Sequence, residues 1–316
     1  MNSSFSALKE FSPLLKLLSL LILSLIGLIV FMVLGVIVVL PFYGSEIFDF
    51  VMGSGDTTSP IHINIMKYLQ ILSHFGFFIM PAIFFAHIFE SGFKSFFFFI
   101  RTVRWNLIFL GALLLLFQLP VVNYLAYINS LIVFPESMKA VEEWMRITEN
   151  EAEKIILLFL DNPSVLSLIV NLFMIAIIPA IGEELIFRGI LLRLLKRWWG
   201  NIHLAVLMSA IIFSIIHFQF YGFLPRVFLG IILGYLFVWT GSLWVPIVAH
   251  FVNNASAVLV GHFYFKGDFP VKIDEFGNFN NEPVLLVFLT FIAALSIVGF
   301  WFANKKTSQF YNNIGK

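Results

Sequence analysis

Residues 171–195 read NLFMIAIIPAIGEELIFRGILLRLL. Almost every side chain in this run is Ile, Leu, Phe, Ala or Met, as a helix crossing a hydrocarbon core of about 30 Å requires. An ionised group placed there is costly unless it is paired or faces a polar cavity, so intramembrane charges mark function by default. The run carries two adjacent carboxylates, Glu183 and Glu184, followed by Arg188. Residues four apart on a helix share a face, so Glu184 lies beside Arg188 while Glu183 is rotated away by about 100°. The expected division is one structural and one free carboxylate. The alternative is a buried ion network that only fixes helix packing.

The rest of the chain has the same character. Of 316 residues, 60% are hydrophobic and 12% charged, far from the composition of a soluble domain. The 40 Phe are read as lipid-facing bulk. There is no cysteine, which excludes disulfides, thiolate metal sites and a cysteine nucleophile. The predicted fold is all-α, a polytopic membrane bundle of about eight helices: Leu17–Phe42, Met66–Phe89, Asn106–Phe134, Val165–Leu195, Ile202–Phe220, Val227–Trp239, Leu243–Phe263 and Val284–Ala303. Val227–Trp239 is the shortest. The first run is too long for a signal-peptide core and is read as a retained anchor. Residues 1–162 form N-terminal spans with an outer amphipathic segment, 163–263 the helix bundle that carries the intramembrane charges, and 264–316 an outer loop with a last span.

Lys9, Lys16, Lys94, Arg101, Arg104, Arg193, Lys196, Arg197, Lys305, Lys306 and Lys316 fall on one side of these crossings. Fewer cations, and most of the acidic residues, fall on the other. The positive-inside rule therefore predicts both termini in the cytoplasm of a multi-pass cell-membrane protein. The outer connection Glu136–Pro163 reads as an amphipathic surface helix, with Met138, Val141, Trp144, Met145, Ala152, Ile155 and Ile156 at helical spacing. The predicted partners are the lipid bilayer and a membrane-associated peptide or protein, with no nucleic acid.

Two later helices repeat the one-turn polar spacing. Phe213 precedes His217 by four residues, and His250 precedes Asn254 by four. Counting about 1.5 Å per residue from the basic ends puts Glu183 and His217 at one depth. His250 joins them only if the Thr240-Gly241-Ser242 turn is buried in the bundle. A lone membrane histidine is usually an interhelical hydrogen-bonding residue; three polar stripes at one level argue for more. A buried carboxylate can act as general base to a water, an imidazole can hold that water, and a His and an Asn one turn apart can serve as oxyanion donors.

In these residues the chain resembles the CAAX prenyl protease type II and bacteriocin-processing family, whose ordered motifs are Glu-Glu-x-x-x-Arg, Phe-x-x-x-His and His-x-x-x-Asn/Asp. The resemblance covers roughly Val165–Phe263. It implies an intramembrane endopeptidase in which Glu183 and His217 activate water, His250 and Asn254 stabilise the oxyanion, and Glu184, Arg188 and Phe213 are supportive. The substrate implied is a membrane-associated peptide, prenylated or bearing a leader. No cofactor is expected. The metal alternative is zinc held by Glu183, His217 and His250, although no His-Glu-x-x-His helix is present. The non-enzymatic alternative is a transporter with Glu183 as a proton relay, which has no need of the His-Asn stripe, or an immunity or scaffold protein that keeps the constellation for binding.

Gly53-Ser54-Gly55-Asp56 matches the short pattern of intramembrane aspartyl proteases, but it stands among Thr57, Thr58, Ser59 and Pro60 and lacks a Tyr-Asp partner, so it is read as a turn. No span contains the Gly-x-Ser-x-Gly of a serine protease. His62, His74, His87, His203 and His262 are read as interfacial or packing residues.

Overall fold

The computed structural model of the chain describes residues 6–44, 46–53, 56–90, 92–97, 103–268 and 282–304, and every regular element among them is helical. The long helices are α1 (Pro13–Tyr43), α2 (Pro60–Phe89), α3 (Trp105–Ser130), α4 (Lys139–Leu160), α5 (Val165–Trp199), α6 (Ile202–Ile215), α7 (Phe223–Thr240), α8 (Trp244–Lys266) and α9 (Pro283–Asn304). Their ends follow local chemistry. Ser12, Ser59, Ser164 and Asn201 accept first-turn N–H groups, and Pro13 and Pro60 occupy first-turn positions where no N–H is needed. Gly200, Gly241 and Gly267 end α5, α7 and α8 in the left-handed conformation.

Seven of these helices are long and apolar enough to cross a membrane, and α6 is a shorter apolar one. The number of elements agrees with expectation, but the short one does not. Val227–Trp239 extends to Phe223–Thr240, because Pro225 sits in the first turn of α7 and Arg226 turns back onto Gln219 instead of ending the span. Ile202–Phe220 stops instead at Ile215, about 21 Å of helix. Phe218 beyond it has φ +53°, and His217 therefore stands in a turn, not on a helix.

The bundle wraps around α5, where every residue from 178 to 195 except Ile181 is buried. Three stretches adopt the wider π-helical turn: 75–79 in α2, and 172–177 and 185–191 in α5. A π turn frees carbonyls for other partners. Ile175 O takes the Asn254 amide at 3.2 Å and Phe187 O takes the Ser209 hydroxyl at 3.1 Å. Two glycines set the helix spacing. A Cβ at Gly182 would stand 2.9 Å from Phe78 Cβ, and one at Gly230 would stand 2.8 Å from Ala210 Cβ, so α2 meets α5 and α7 meets α6 closely only because these side chains are absent.

The amphipathic segment is α4, and it is a roof over the bundle as well as a surface helix. Met145 is buried, while Met138, Val141 and Trp144 remain exposed. Phe159 O near its C-terminus accepts Lys67 Nζ at 2.9 Å and Asn171 Nδ2 at 2.7 Å. At the opposite end of the bundle, Glu90 binds Lys16 at 3.1 Å and Arg197 at 2.6 Å, tying α1, α2 and α5 together. Burial pushes the Glu90 carboxyl up, but the bonds from Arg197 and Lys16 outweigh it and hold it below the usual carboxylate range. Of the cations used to orient the chain, Arg101, Lys305, Lys306 and Lys316 lie outside the described residues. So do Ser54 and Gly55; Asp56 is exposed, and its Oδ1 accepts Thr58 N at 2.9 Å and Thr58 Oγ1 at 2.7 Å, as a solvated turn requires.

Candidate active site

Arg188 is the largest fully buried side chain among the described residues, 1% exposed, and Glu184 is wholly buried beside it. Arg188 Nη1 donates to Glu184 Oε1 at 2.7 Å, Nη2 donates to Gly230 O at 3.0 Å, and the guanidinium lies 5.0 Å from the Phe213 ring centre. The same Glu184 oxygen receives His250 Nδ1 at 2.9 Å. Glu184 is thus the hub that neutralises Arg188 and fixes the His250 ring. Its Oε2 has no partner.

Glu183 points elsewhere, into a cavity of about 700 Å³ that it shares with His217, His250 and Asn254. The turn Thr240-Gly241-Ser242 is buried, which brings His250 to this level. His250 Nε2 stands 3.8 Å from Glu183 Oε2. Phe213 packs edge-on against both imidazoles, 4.9 Å from His217 and 6.1 Å from His250 between ring centres.

Hydrogen bonding assigns the ring nitrogens. His217 Nδ1 donates to Phe213 O at 2.7 Å, leaving the Nε2 lone pair available to a water. His250 donates Nδ1–H to Glu184, so a neutral His250 also presents a lone pair at Nε2. It can donate to an oxyanion only as imidazolium. Asn254 donates to Ile175 O, and its amide retains a second N–H. Among the described residues no group of three His, Asp or Glu side chains is placed to hold a metal ion.

The four polar residues thus meet in one place, bounded by apolar side chains that would exclude bulk water. Residues 165–256 match the family described as Type II CAAX prenyl endopeptidase Rce1-like. Glu183, Glu184, Arg188, Phe213, His217, His250 and Asn254 all fall inside this Rce1-like segment. Three Bacillus subtilis (strain 168) proteins are similar to part of the chain. "Uncharacterized protein YpbD" is 29% identical over 27% of this chain and 42% of its own length. "Sporulation-killing factor biosynthesis protein SkfC" is 33% identical over 28% of this chain and 18% of its own length. "Putative membrane peptidase YdiL" is 34% identical over 27% and 34% respectively. The chain therefore spans less than half the length of each of these relatives. No solved structure matches.

The cavity also draws on residues outside the Rce1-like segment. Gln70 and His74 of α2, Leu115 of α3, and Ala152, Ile155, Ile156 and Phe159 of α4 line it. His74, expected to be a packing residue, has Nε2 3.7 Å from Glu183 Oε1. A signal for it was present, since Gln70 and His74 repeat the one-turn polar spacing of the three motifs. Arg226 lines the cavity too, clamped to Gln219 Oε1 at 2.8 Å. Its position beside a predicted turn gave no such signal.

Proposed function

We propose that this chain is an intramembrane endopeptidase of the glutamic type, hydrolysing a peptide bond in a membrane-associated substrate, prenylated or leader-bearing. The observation that carries the proposal is the divided carboxylate pair. Glu184 is consumed by Arg188 and His250, whereas Glu183 faces a largely apolar cavity with two imidazole nitrogens and a carboxamide.

Glu183 takes a proton from a water held by His217 Nε2, and the water oxygen attacks the substrate carbonyl. Asn254 donates its N–H to the oxyanion in every protonation state, and His250 adds a second donor when it is imidazolium. Glu183 then passes the proton to the leaving amine, so acid and base are the same carboxyl. Glu184, Arg188 and Phe213 hold these groups in place. The membrane orientation proposed is that of the positive-inside rule, with both termini in the cytoplasm.

The decisive assay is cleavage of dye–quencher transmembrane peptides and farnesylated peptides by purified protein in lipid nanodiscs. Turnover is expected to persist after exhaustive chelation, and Asn254→Ala is expected to lower kcat by about 100- to 1,000-fold with KM little changed. Stoichiometric zinc with chelator-reversible activity would overturn the glutamic mechanism. Absence of cleavage by well-folded protein across both peptide classes would favour the non-enzymatic alternative.

A further inference from the structure

The Glu183 carboxylate has an imidazole against each oxygen. His250 Nε2 lies 3.8 Å from Oε2, and His74 Nε2 lies 3.7 Å from Oε1. The first imidazole comes from the Rce1-like segment. The second comes from α2, in the half of the chain that the resemblance leaves without a role. Its position is a consequence of packing: the missing Cβ at Gly182 admits Phe78, and His74, one turn earlier on α2, is carried to the neighbouring Glu183. The ring rests 5.5 Å from the Phe78 ring and lines the cavity.

We propose that His74 is a positioning residue for Glu183, aiming the carboxylate that serves as base. The inference rests on the hydrolytic function proposed above. Nδ1 of His74 lies 3.1 Å from Gln70 O and 3.3 Å from the Gln70 amide nitrogen. It can donate to the first or accept from the second. In the second arrangement Nε2 carries the proton and points it at Glu183 Oε1. Gln70 therefore permits the tautomer that Glu183 needs without the ring moving. A donor on Oε1 fixes rotation of the carboxylate and leaves Oε2 for the water. The distance is longer than a finished hydrogen bond, as is common before substrate closes a site. The other charged or titratable groups around the site are His217 on its turn, His250 on α8, Arg226 on α7, and the mutually paired Glu184 and Arg188 on α5.

His74→Phe keeps an aromatic ring against Phe78 and removes both nitrogens, while His74→Gln restores one N–H donor. With whichever nanodisc peptide the parent cleaves, His74→Phe is expected to lower kcat by about 10- to 100-fold and leave KM within about two-fold, the cost of a misaimed base. His74→Gln is expected to recover most of that loss. An unchanged kcat in His74→Phe, a loss confined to KM, or no rescue by His74→Gln would overturn the role. If the parent cleaves neither the transmembrane nor the farnesylated peptides, the hydrolytic function fails first. The contact is then judged by melting of His74→Phe, Glu183→Gln and the double variant in detergent. Non-additive shifts support it, and additive shifts overturn it.

Discussion

α1 and α5 are both rich in Ile, Leu and Val and are the two longest helices among the described residues, 31 and 35 residues. In α1 only Lys16, Leu20, Ser24, Gly35 and Val39 are buried, and Ile29 is 62% exposed. In α5 every residue from 182 to 195 is buried, Ile190 at 0% exposure among them. Hydropathy marks both as spans and does not say which is enclosed, because lipid tails and a protein interior are both apolar. What separates them is the cost of a polar group. The lipid-facing middle of α1 carries no charge, while α5 carries three in its centre and hides them.

This contrast can be broken most decisively at Glu183. Glu183→Gln keeps volume but cannot take a proton from water, so cleavage in nanodiscs is expected to fall by at least about 1,000-fold with the melting temperature unchanged. Next comes its neighbour. Glu184→Gln leaves Arg188 poorly neutralised in a dry interior and is expected to cost about 3 to 5 kcal/mol of stability, measured by denaturation in mixed micelles. A reversed pattern, with Glu184 controlling turnover and Glu183 stability, would mean that the two carboxylates have exchanged roles. In the apolar part of α5, Ile190→Ala opens a cavity in a closed core and is expected to cost about 2 to 3 kcal/mol. The smallest effect belongs to α1, where Ile29→Ala removes side-chain atoms from a lipid-facing surface and is expected to stay within about 0.5 kcal/mol in the same denaturation series. Equal costs for Ile190→Ala and Ile29→Ala would show that α1 is enclosed by a partner.

The site was legible to the extent that its residues were polar and out of place. Glu183, Glu184, Arg188, His217, His250 and Asn254 each stand out from an apolar background; the structure gathers Glu183, His217, His250 and Asn254 around one cavity and buries Glu184 with Arg188 beside it. His74 follows a one-turn spacing with Gln70, but on a span without a recognised motif, and it was read as packing. Arg226 was hidden by its place at an expected loop. The short helix was misplaced for a related reason. Pro225 and Arg226 look like interruptions in sequence, whereas a first-turn Pro is compatible with a helix and the guanidinium is paired with Gln219.

By itself, the sequence determined that the chain is an all-helical membrane protein, how many apolar helices it has, and which side chains are too costly to be there without a partner. Those properties depend on composition and on the fixed 3.6-residue period, which are local. The one-turn spacing already paired Glu184 with Arg188; only the tertiary structure decided that Glu184 also holds His250, which reaches it from another helix at 2.9 Å. It likewise decided that α2 supplies an imidazole and α4 a roof. The π turns at 75–79, 172–177 and 185–191 and the close approach at Gly182 rotate and admit neighbouring helices by a few ångströms. No residue type announces a π turn, because it is stabilised by the partners that its freed carbonyls find across the bundle.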